Sequence, residues 1–203
     1  MSKKINVNNT TLRILCLYRG DYSRAIYAQK IALAIDKNKD TATKLLKQLE
    51  QLRIFKSIKR GRNVDYQLNL DNVITRYYLE LAEIFASINL LDDYFLIKKV
   101  TDELRDQTHG ILILFGSFAK RLDRETSDID LFVIGDEGID IHVVQSVEDL
   151  IGREINIKHS TPAEFLSGLN AKSPLEHEVL SDHIVLKGAD EFCDIVWKYY
   201  AET

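Results

Sequence analysis

The chain contains few of the residues that interrupt or cross-link a polypeptide. Among its 203 residues there are only two prolines, two cysteines and one tryptophan. Cys16 and Cys193 lie near opposite ends, within apolar helical patterns, which predicts two reduced core thiols rather than a disulfide. No stretch rich in Pro, Gly and Ser divides the chain, so we expect a helix rather than a flexible tether to connect its halves.

Long apolar runs are absent as well. No stretch approaches the roughly 18 apolar residues of a membrane span. The first residues carry two lysines with no apolar segment behind them, unlike a secretory signal. Together with the reduced cysteines, these absences predict a cytoplasmic protein with no membrane partner. The hydrophobic fraction of 45 % and the charged fraction of 29 % are typical of a globular protein.

The net charge of −4 conceals an uneven distribution. Residues 1–70 contain 15 Lys and Arg against 5 Asp and Glu, whereas the remainder contains 12 against 26. Such asymmetry predicts two domains with different partners, of which the basic one is suited to a polyanion. We therefore predict a domain at 1–70, a helical connection at 71–108 and a second domain at 109–203.

The basic third has the pattern of three helices and a β-hairpin. Apolar residues recur at helical spacing in three segments, and two later segments alternate like strands. In chain order the pattern predicts a helix capped by Thr10 or Thr11 that ends at Gly20, a helix at 28–35, a helix after the turn at 36–40, and strands at 54–59 and 64–68 joined by the tip at 60–63.

This order resembles the winged helix-turn-helix of prokaryotic transcription regulators. The resemblance implies that the third helix enters the major groove of double-stranded DNA while the hairpin, or wing, touches the backbone or minor groove. It also implies a homodimer on two half-sites. A basic face that is merely solvated and a winged helix that contacts protein are the alternatives. The residues expected to face DNA are Thr41, Thr43, Lys44, Lys47 and Gln48 on the helix and Arg60 and Arg62 on the wing.

The predicted helical connection carries an apolar stripe. Apolar residues recur three and four positions apart from Ile74 to Ile88, which persists for about four turns. This stripe either packs inside the molecule or forms the seam of a dimer.

The most informative motif joins two predicted strands. An apolar strand at 111–115 runs into Gly116 and Ser117, and the next strand carries Asp128 and Asp130. Because side chains alternate along a strand, both carboxylates lie on one face. Adjacent carboxylates repel each other unless a cation lies between them, and oxygen ligands suit Mg²⁺. The glycine lets the backbone approach a phosphate, and the serine adds a hydroxyl.

The motif consists of Gly-Ser, a spacer of about ten residues and Asp-x-Asp on a strand. It resembles the nucleotidyltransferase superfamily of the DNA polymerase β type, especially its minimal prokaryotic members. The resemblance implies an α/β or α+β domain with a mixed sheet flanked by helices. It also implies Mg²⁺ or Mn²⁺ and a nucleoside triphosphate, for which we expect ATP. In the roles it implies, Gly116 and Ser117 bind phosphates, Lys120 approaches a phosphate, and Asp128 and Asp130 are the catalytic metal ligands.

Two positions depart from the pattern of this superfamily. Its members typically have Arg-Gly where this chain has Lys120 and Arg121, so a bulky side chain replaces a loop glycine. The third carboxylate is expected on the strand at 154–159. Either Glu154 supplies it, or Asn156 occupies its position and the carboxylate is absent. The remaining strand of this domain is predicted at 184–187.

Together these patterns predict a DNA-binding transcription regulator with a nucleotidyltransferase-like domain that binds nucleotide and Mg²⁺. That domain either transfers a nucleotidyl group or only binds the nucleotide. The alternative is an active minimal nucleotidyltransferase, the antitoxin that modifies a HEPN-type toxin or another protein. A further alternative is an enzyme whose winged helix recruits a substrate such as RNA or a protein.

Overall fold

The computed structural model describes residues 7–61 and 63–201, so the predicted wing residue Arg62 lies outside the described residues. The chain divides into two compact units. Unit 1 contains the described residues up to Ala82 together with the end of the chain from Tyr200, and unit 2 runs from Glu83 to Tyr199. Both units combine helices with a β-sheet, so the predicted mixed α/β character is confirmed.

Unit 1 contains three short helices and a three-stranded antiparallel sheet. The strand order in this sheet is β1-β3-β2, so β3 is the central strand. The elements in chain order are α1 (Asn9–Cys16), β1 (Ala25–Tyr27), α2 (Ala28–Ala34), α3 (Lys39–Gln51), β2 (Phe55–Arg60) and β3 (Asn63–Leu68).

Two asparagines start the main helices of unit 1. The Asn8 side chain accepts a hydrogen bond of 3.0 Å from the backbone N–H of Thr11, so Asn8 caps α1 instead of the predicted threonines. Asn38 caps α3 in the same way through the N–H of Thr41, at 2.8 Å. Helix α1 ends at Cys16, ahead of the predicted Gly20.

The chain turns inward after α1 because a tyrosine there belongs to the core. Tyr18 is fully buried, and its hydroxyl donates a hydrogen bond of 2.8 Å to the carbonyl oxygen of Tyr66 in β3. A buried phenol requires such a partner, which fixes the chain at this point. Strand β1 follows and pairs Ile26 with Tyr66. Its three residues are too few to show an alternating pattern, so the sequence did not predict it.

A 21-residue helix, α4, crosses the boundary between the units, as the absence of a Pro/Gly/Ser linker predicted. The remaining elements form a four-stranded mixed sheet, in the order β6-β5-β4-β7, with helices around it. They are α4 (Val73–Asp93), α5 (Phe95–Leu104), β4 (Ile111–Phe115), α6 (Gly116–Ala119), β5 (Ile129–Ile134), α7 (Ile141–Ile151), β6 (Ile155–Ser160), α8 (Pro162–Asn170), α9 (Pro174–Ser181), β7 (Ile184–Lys187) and α10 (Ala189–Ala201).

The core of unit 2 is built around β4. All five of its residues are buried, and it pairs in antiparallel fashion with β5 on one side and β7 on the other. Strand β6 then adds to β5 in parallel. Alternate residues of β5, Ile129, Leu131 and Val133, enter the main apolar cluster. Because side chains alternate, this arrangement leaves Asp130 on the other face of the sheet.

A histidine–glutamate pair is buried in unit 2. His183 and Glu83 have side chains that are 1 % and 0 % exposed, and Nε2 of the histidine lies 3.1 Å from Oε2 of the glutamate. Nδ1 of His183 lies 2.7 Å from the carbonyl oxygen of Leu180. Such a pair contributes mainly through the cost of breaking it.

None of the helices in the described residues combines the length and the apolar character needed to cross a membrane.

Candidate functional site

The two halves of the Gly-Ser…Asp-x-Asp motif meet at the end of β4. Phe115, the last residue of β4, pairs with Asp130 of β5, and Gly116 follows directly. Gly116 has a φ of 69°, and a Cβ atom added to it would lie 2.3 Å from Oδ2 of Asp130. A side chain there would therefore be strained by the backbone conformation and would collide with the carboxylate.

Asp130 is a half-buried carboxylate among other charges. Burial raises its pKa above the ordinary aspartate value, and the charges of Asp128 and Glu178 raise it further. A hydrogen bond from Asn156 and the nearby Lys158 act in the opposite direction. Asp128 is exposed and immediately precedes β5. The two predicted metal ligands thus lie close enough to interact electrostatically.

Asn156 occupies the position across from Asp130 on the next strand. The two residues are register partners in the parallel pair of β5 and β6, and the Asn156 amide donates a hydrogen bond to the Asp130 carboxylate. Glu154 is exposed and precedes β6, and its backbone carbonyl accepts a hydrogen bond from Ile129. The side chain in contact with Asp130 at this strand is therefore an amide. The role of Glu154 as a third carboxylate stays a prediction.

Lys120 lies at the end of α6 in a network of carboxylates. Its Nζ lies 2.8 Å from Oε1 of Glu178 and 3.9 Å from Oδ2 of Asp182, both contributed by the region of α9. The hydrogen bond to Glu178 raises the pKa of Lys120, burial opposes that shift, and Asp130 adds to it. Lys120 is therefore firmly cationic at neutral pH and lies near the Asp130 carboxylate.

The loop between Ser117 and Asp128 is held by two arginines. Nη1 of Arg153 donates to the carbonyl oxygens of Arg124 at 3.3 Å and of Ser127 at 3.0 Å. Arg121 has a φ of 56°, the left-handed conformation that a glycine would adopt without strain. Its guanidinium is held at 2.6 Å from Oδ2 of Asp93. The replacement of the glycine typical of this superfamily thus keeps the glycine-like backbone and adds an ion pair.

The donor set suits a cation shared with a substrate. Asp128 and Asp130 repel each other, and a divalent cation would relieve that repulsion. Among residues 7–61 and 63–201, no group of three or more His, Cys, Asp or Glu side chains is placed to hold a metal ion. Mg²⁺ is commonly bound by one or two carboxylates that are completed by substrate phosphates and water. The residues present therefore fit Mg²⁺ together with a nucleotide.

The predicted DNA-contacting residues that the structure describes lie on α3 and on the hairpin. Lys44, Lys47 and Gln48 are exposed, whereas Thr41 and Thr43 are half-buried. Arg60 is exposed and forms an ion pair of 3.3 Å with Asp65 across the hairpin.

A groove in unit 1 collects only part of this predicted set. The groove has a volume of about 250 Å³ and lies between α3, the start of α2 and the hairpin. Thr43 and Lys47 line it. The residues that line it and were not predicted are Tyr27, Ala28, Gln29, Lys39, Asn63, Val64 and Tyr66.

Sequence reasoning missed Lys158, Glu178, Asp182 and Arg153 near the nucleotide site. Lys158 follows Asn156 by two positions on a strand, so alternation alone places it on the same face. The two acidic residues of the α9 region come near Lys120 only through the tertiary fold, and no spacing in the sequence reveals that contact.

Residues 98–192 match the family model described as "Polymerase beta, Nucleotidyltransferase". This matched stretch contains the Gly-Ser turn and both aspartates, so this part of the chain is similar to a nucleotidyltransferase domain. Members of this family generally use a divalent metal and a nucleoside triphosphate.

Two solved structures are similar at low sequence identity. The crystal structure of a toxin–antitoxin with AMP-PNP matches at 17 % identity over 52 % of this chain and 86 % of that chain, with a TM-score of 0.37. A mutant of the toxin–antitoxin MntA–HpeT matches at 15 % identity over 52 % of this chain and 85 % of that chain, with a TM-score of 0.35. No curated protein matches this chain.

Proposed function

We propose that the nucleotidyltransferase domain binds a Mg²⁺–nucleoside triphosphate, with ATP as the expected nucleotide, and transfers its nucleotidyl group to a protein. The observation that carries this proposal is the contact between Gly116 and Asp130. The backbone of Gly116 lies against the carboxylate of Asp130, whose ionised form is disfavoured by burial and by the charge of Asp128. A half-buried, like-charged arrangement of this kind is expected where a ligand supplies the missing positive charge.

Each residue has a separate role in this proposal. Asp128 and Asp130 would hold Mg²⁺, which would supply positive charge to offset that of the triphosphate. Gly116 leaves room for a phosphate beside Asp130, and Ser117 offers its hydroxyl and backbone N–H. Lys120 supplies a cation on the side of α9. The family match and the geometry of the Gly-Ser turn support these assignments.

The acceptor that we propose is a protein hydroxyl, as in a nucleotidyltransferase antitoxin that modifies its partner toxin. A neutral amide at Asn156 cannot take a proton from the acceptor. It holds Asp130 by a hydrogen bond instead. The hydroxyl oxygen would attack the α-phosphorus, the bond from that phosphorus to pyrophosphate would break, and the hydroxyl proton would pass to solvent water.

The test is nucleotidyl transfer from labelled ATP in the presence of Mg²⁺ and a lysate of the source cells. We expect a labelled protein that disappears with Asp128→Ala plus Asp130→Ala and persists with Asp136→Ala, a carboxylate at the other end of β5. Absence of label, together with absence of Mg²⁺–ATP binding in calorimetry, would refute the proposal.

We further propose that unit 1 binds double-stranded DNA as a winged helix. Its elements follow the order of that fold, with β2 and β3 as the wing. The groove beside α3 is lined by two lysines, Lys39 and Lys47, which are separated by two helical turns. A basic groove on a helix next to a hairpin suits the phosphates of a duplex.

Two charge-reversal variants distinguish DNA binding in this groove from a general effect of net charge. Lys47→Glu should weaken binding of promoter DNA and lower the slope of log K against log salt, because a phosphate contact is lost. Lys98→Glu makes the same change of charge on an exposed residue of α5 and should leave binding unchanged. Equal effects of the two variants in a gel-retardation titration would contradict the assignment.

Helix α4 supports the proposal of a homodimer. Its exposed apolar residues recur with alternating steps of three and four, at Ile74, Tyr77, Leu81, Ile84 and Ile88. That is the spacing of a coiled-coil seam, and no charged residue interrupts it. A dimer should appear in light scattering, and Leu81→Glu should convert it to a monomer. A wild-type monomer at micromolar concentration would exclude this seam.

A further inference from the structure

Lys120 is paired with acidic residues on the side of the site where phosphates are expected. Its Nζ is 2.8 Å from Oε1 of Glu178 and 3.9 Å from Oδ2 of Asp182. Side chains of this pair retain 31 % and 45 % exposure, so solvent reaches both. A nucleotide that uses Lys120 as a phosphate ligand must therefore approach a carboxylate already bound to that ammonium group.

The local charges are unfavourable to a polyanion. Asp128, Asp130, Glu178 and Asp182 carry four potential negative charges around Lys120 and Lys158. The charge of Glu178 reaches Asp130, since it contributes to the raised pKa of that carboxyl. A free triphosphate entering this site meets more negative than positive charge, whereas a triphosphate that carries Mg²⁺ brings the neutralising charge with it.

We propose that Glu178 acts as an electrostatic gate that restricts the nucleotide site to metal-bound triphosphates, by pairing with Lys120 and repelling metal-free phosphates. This inference rests on the proposed nucleotide binding and adds a determinant of its specificity. Glu178 is a positioning residue here, because it acts through its ion pair with Lys120 and through its charge.

The test compares the affinity of a fluorescent ATP analogue with and without Mg²⁺, the latter in excess EDTA. Glu178→Gln keeps the shape of the side chain and removes its charge. We expect the metal-free affinity to rise about twofold to fivefold, the range that a partly exposed ion pair allows. The affinity in Mg²⁺ should change less, so the ratio between the two conditions falls.

Two further variants isolate the pair. In a Lys120→Met background the effect of Glu178→Gln should shrink, because part of it acts through release of the lysine. Glu191→Gln is the matched control, since Glu191 is an exposed helix carboxylate that lies with Asp136 at the other end of β5. It should leave both affinities unchanged.

The outcomes separate the gate from the underlying function. If the wild-type protein binds the analogue in Mg²⁺ and Glu178→Gln leaves the metal-free affinity unchanged or lowers it, the gate is refuted while nucleotide binding stands. If the wild-type protein binds no analogue in Mg²⁺, the proposed function itself fails. An equal rise with Glu191→Gln would show a general charge effect and also refute the gate.

Discussion

Gly116→Ala is the change that most directly probes the proposed site. The methyl group would lie 2.3 Å from Oδ2 and 3.1 Å from Cγ of Asp130, so the carboxylate must move. Gly152→Ala is a matched control, because Gly152 has the same φ of 69° and no atom within 4 Å of an added Cβ. The two variants share the backbone penalty and differ in the collision with Asp130.

The expected losses of stability follow from these contacts. A residue with a side chain in the left-handed region costs about 1–2 kcal/mol, which both variants incur. Moving Asp130 also breaks its hydrogen bond with Asn156, and a bond to a charged group contributes about 1.5–3 kcal/mol. The free energy of unfolding should therefore fall by about 1–2 kcal/mol for Gly152→Ala and about 2.5–5 kcal/mol for Gly116→Ala.

The assay is thermal unfolding with and without Mg²⁺–nucleotide. At roughly 2–4 °C per kcal/mol, Tm should fall by about 2–8 °C for the control and about 5–20 °C for Gly116→Ala. Nucleotide at one hundred times its Kd stabilises by about 2.7 kcal/mol. Gly152→Ala should retain that ligand-induced rise in Tm, and Gly116→Ala should lose it. A folded Gly116→Ala protein with the wild-type rise would refute the placement of the site.

Further expectations concern charge and burial. The pKa of Asp130 in the folded protein is raised above its ordinary value of 3.8. Between these two pKa values the folded state binds more protons than the unfolded state. The free energy of unfolding therefore falls as the pH rises through that range. Asp130→Asn should thus raise Tm at neutral pH without Mg²⁺, and this gain should disappear below pH 3.8. The variant should also lose nucleotide binding. A Tm below that of the wild type at neutral pH would contradict this expectation. Asn156→Asp adds a carboxylate beside Asp130, so its free energy of unfolding should fall by about 1–3 kcal/mol without divalent ions. In thermal unfolding, Mg²⁺ should raise the Tm of this variant more than that of the wild type. His183→Ala removes the histidine that lies 3.1 Å from the buried carboxylate of Glu83 and should cost about 3–5 kcal/mol in urea unfolding, whereas His142→Ala on an exposed position should cost less than about 0.5 kcal/mol.

Much of unit 2 could be predicted because its strands are patterned strongly. The wholly apolar run of β4 predicts a buried central strand, and alternation along β5 predicts that Asp128 and Asp130 share a face. Both features follow from local geometry, which spacing in the sequence determines. The spacing between Gly116 and Asp130 then predicts their approach once the two strands pair.

The contacts that give the site its electrostatic character could not be predicted. Glu178 reaches Lys120 across 58 positions of sequence, and only the packing of α9 brings them together. In unit 1 the cap at Asn8 was missed because the neighbouring threonines are also common cap residues, although asparagine is the more favourable one. Which of several candidates accepts a hydrogen bond depends on the backbone angle of each residue.

The row of residues across the sheet gives the site a further property. Phe115, Asp130 and Asn156 are register partners on three adjacent strands. A slip of β5 by one residue would turn Asp130 into the core and bring Leu131 to the ligand side. A misregistered chain would therefore have no binding site at all, rather than a defective one. The ability to hold a nucleotide thus reports that the sheet has assembled correctly, so ligand binding can serve as a check on the quality of folding.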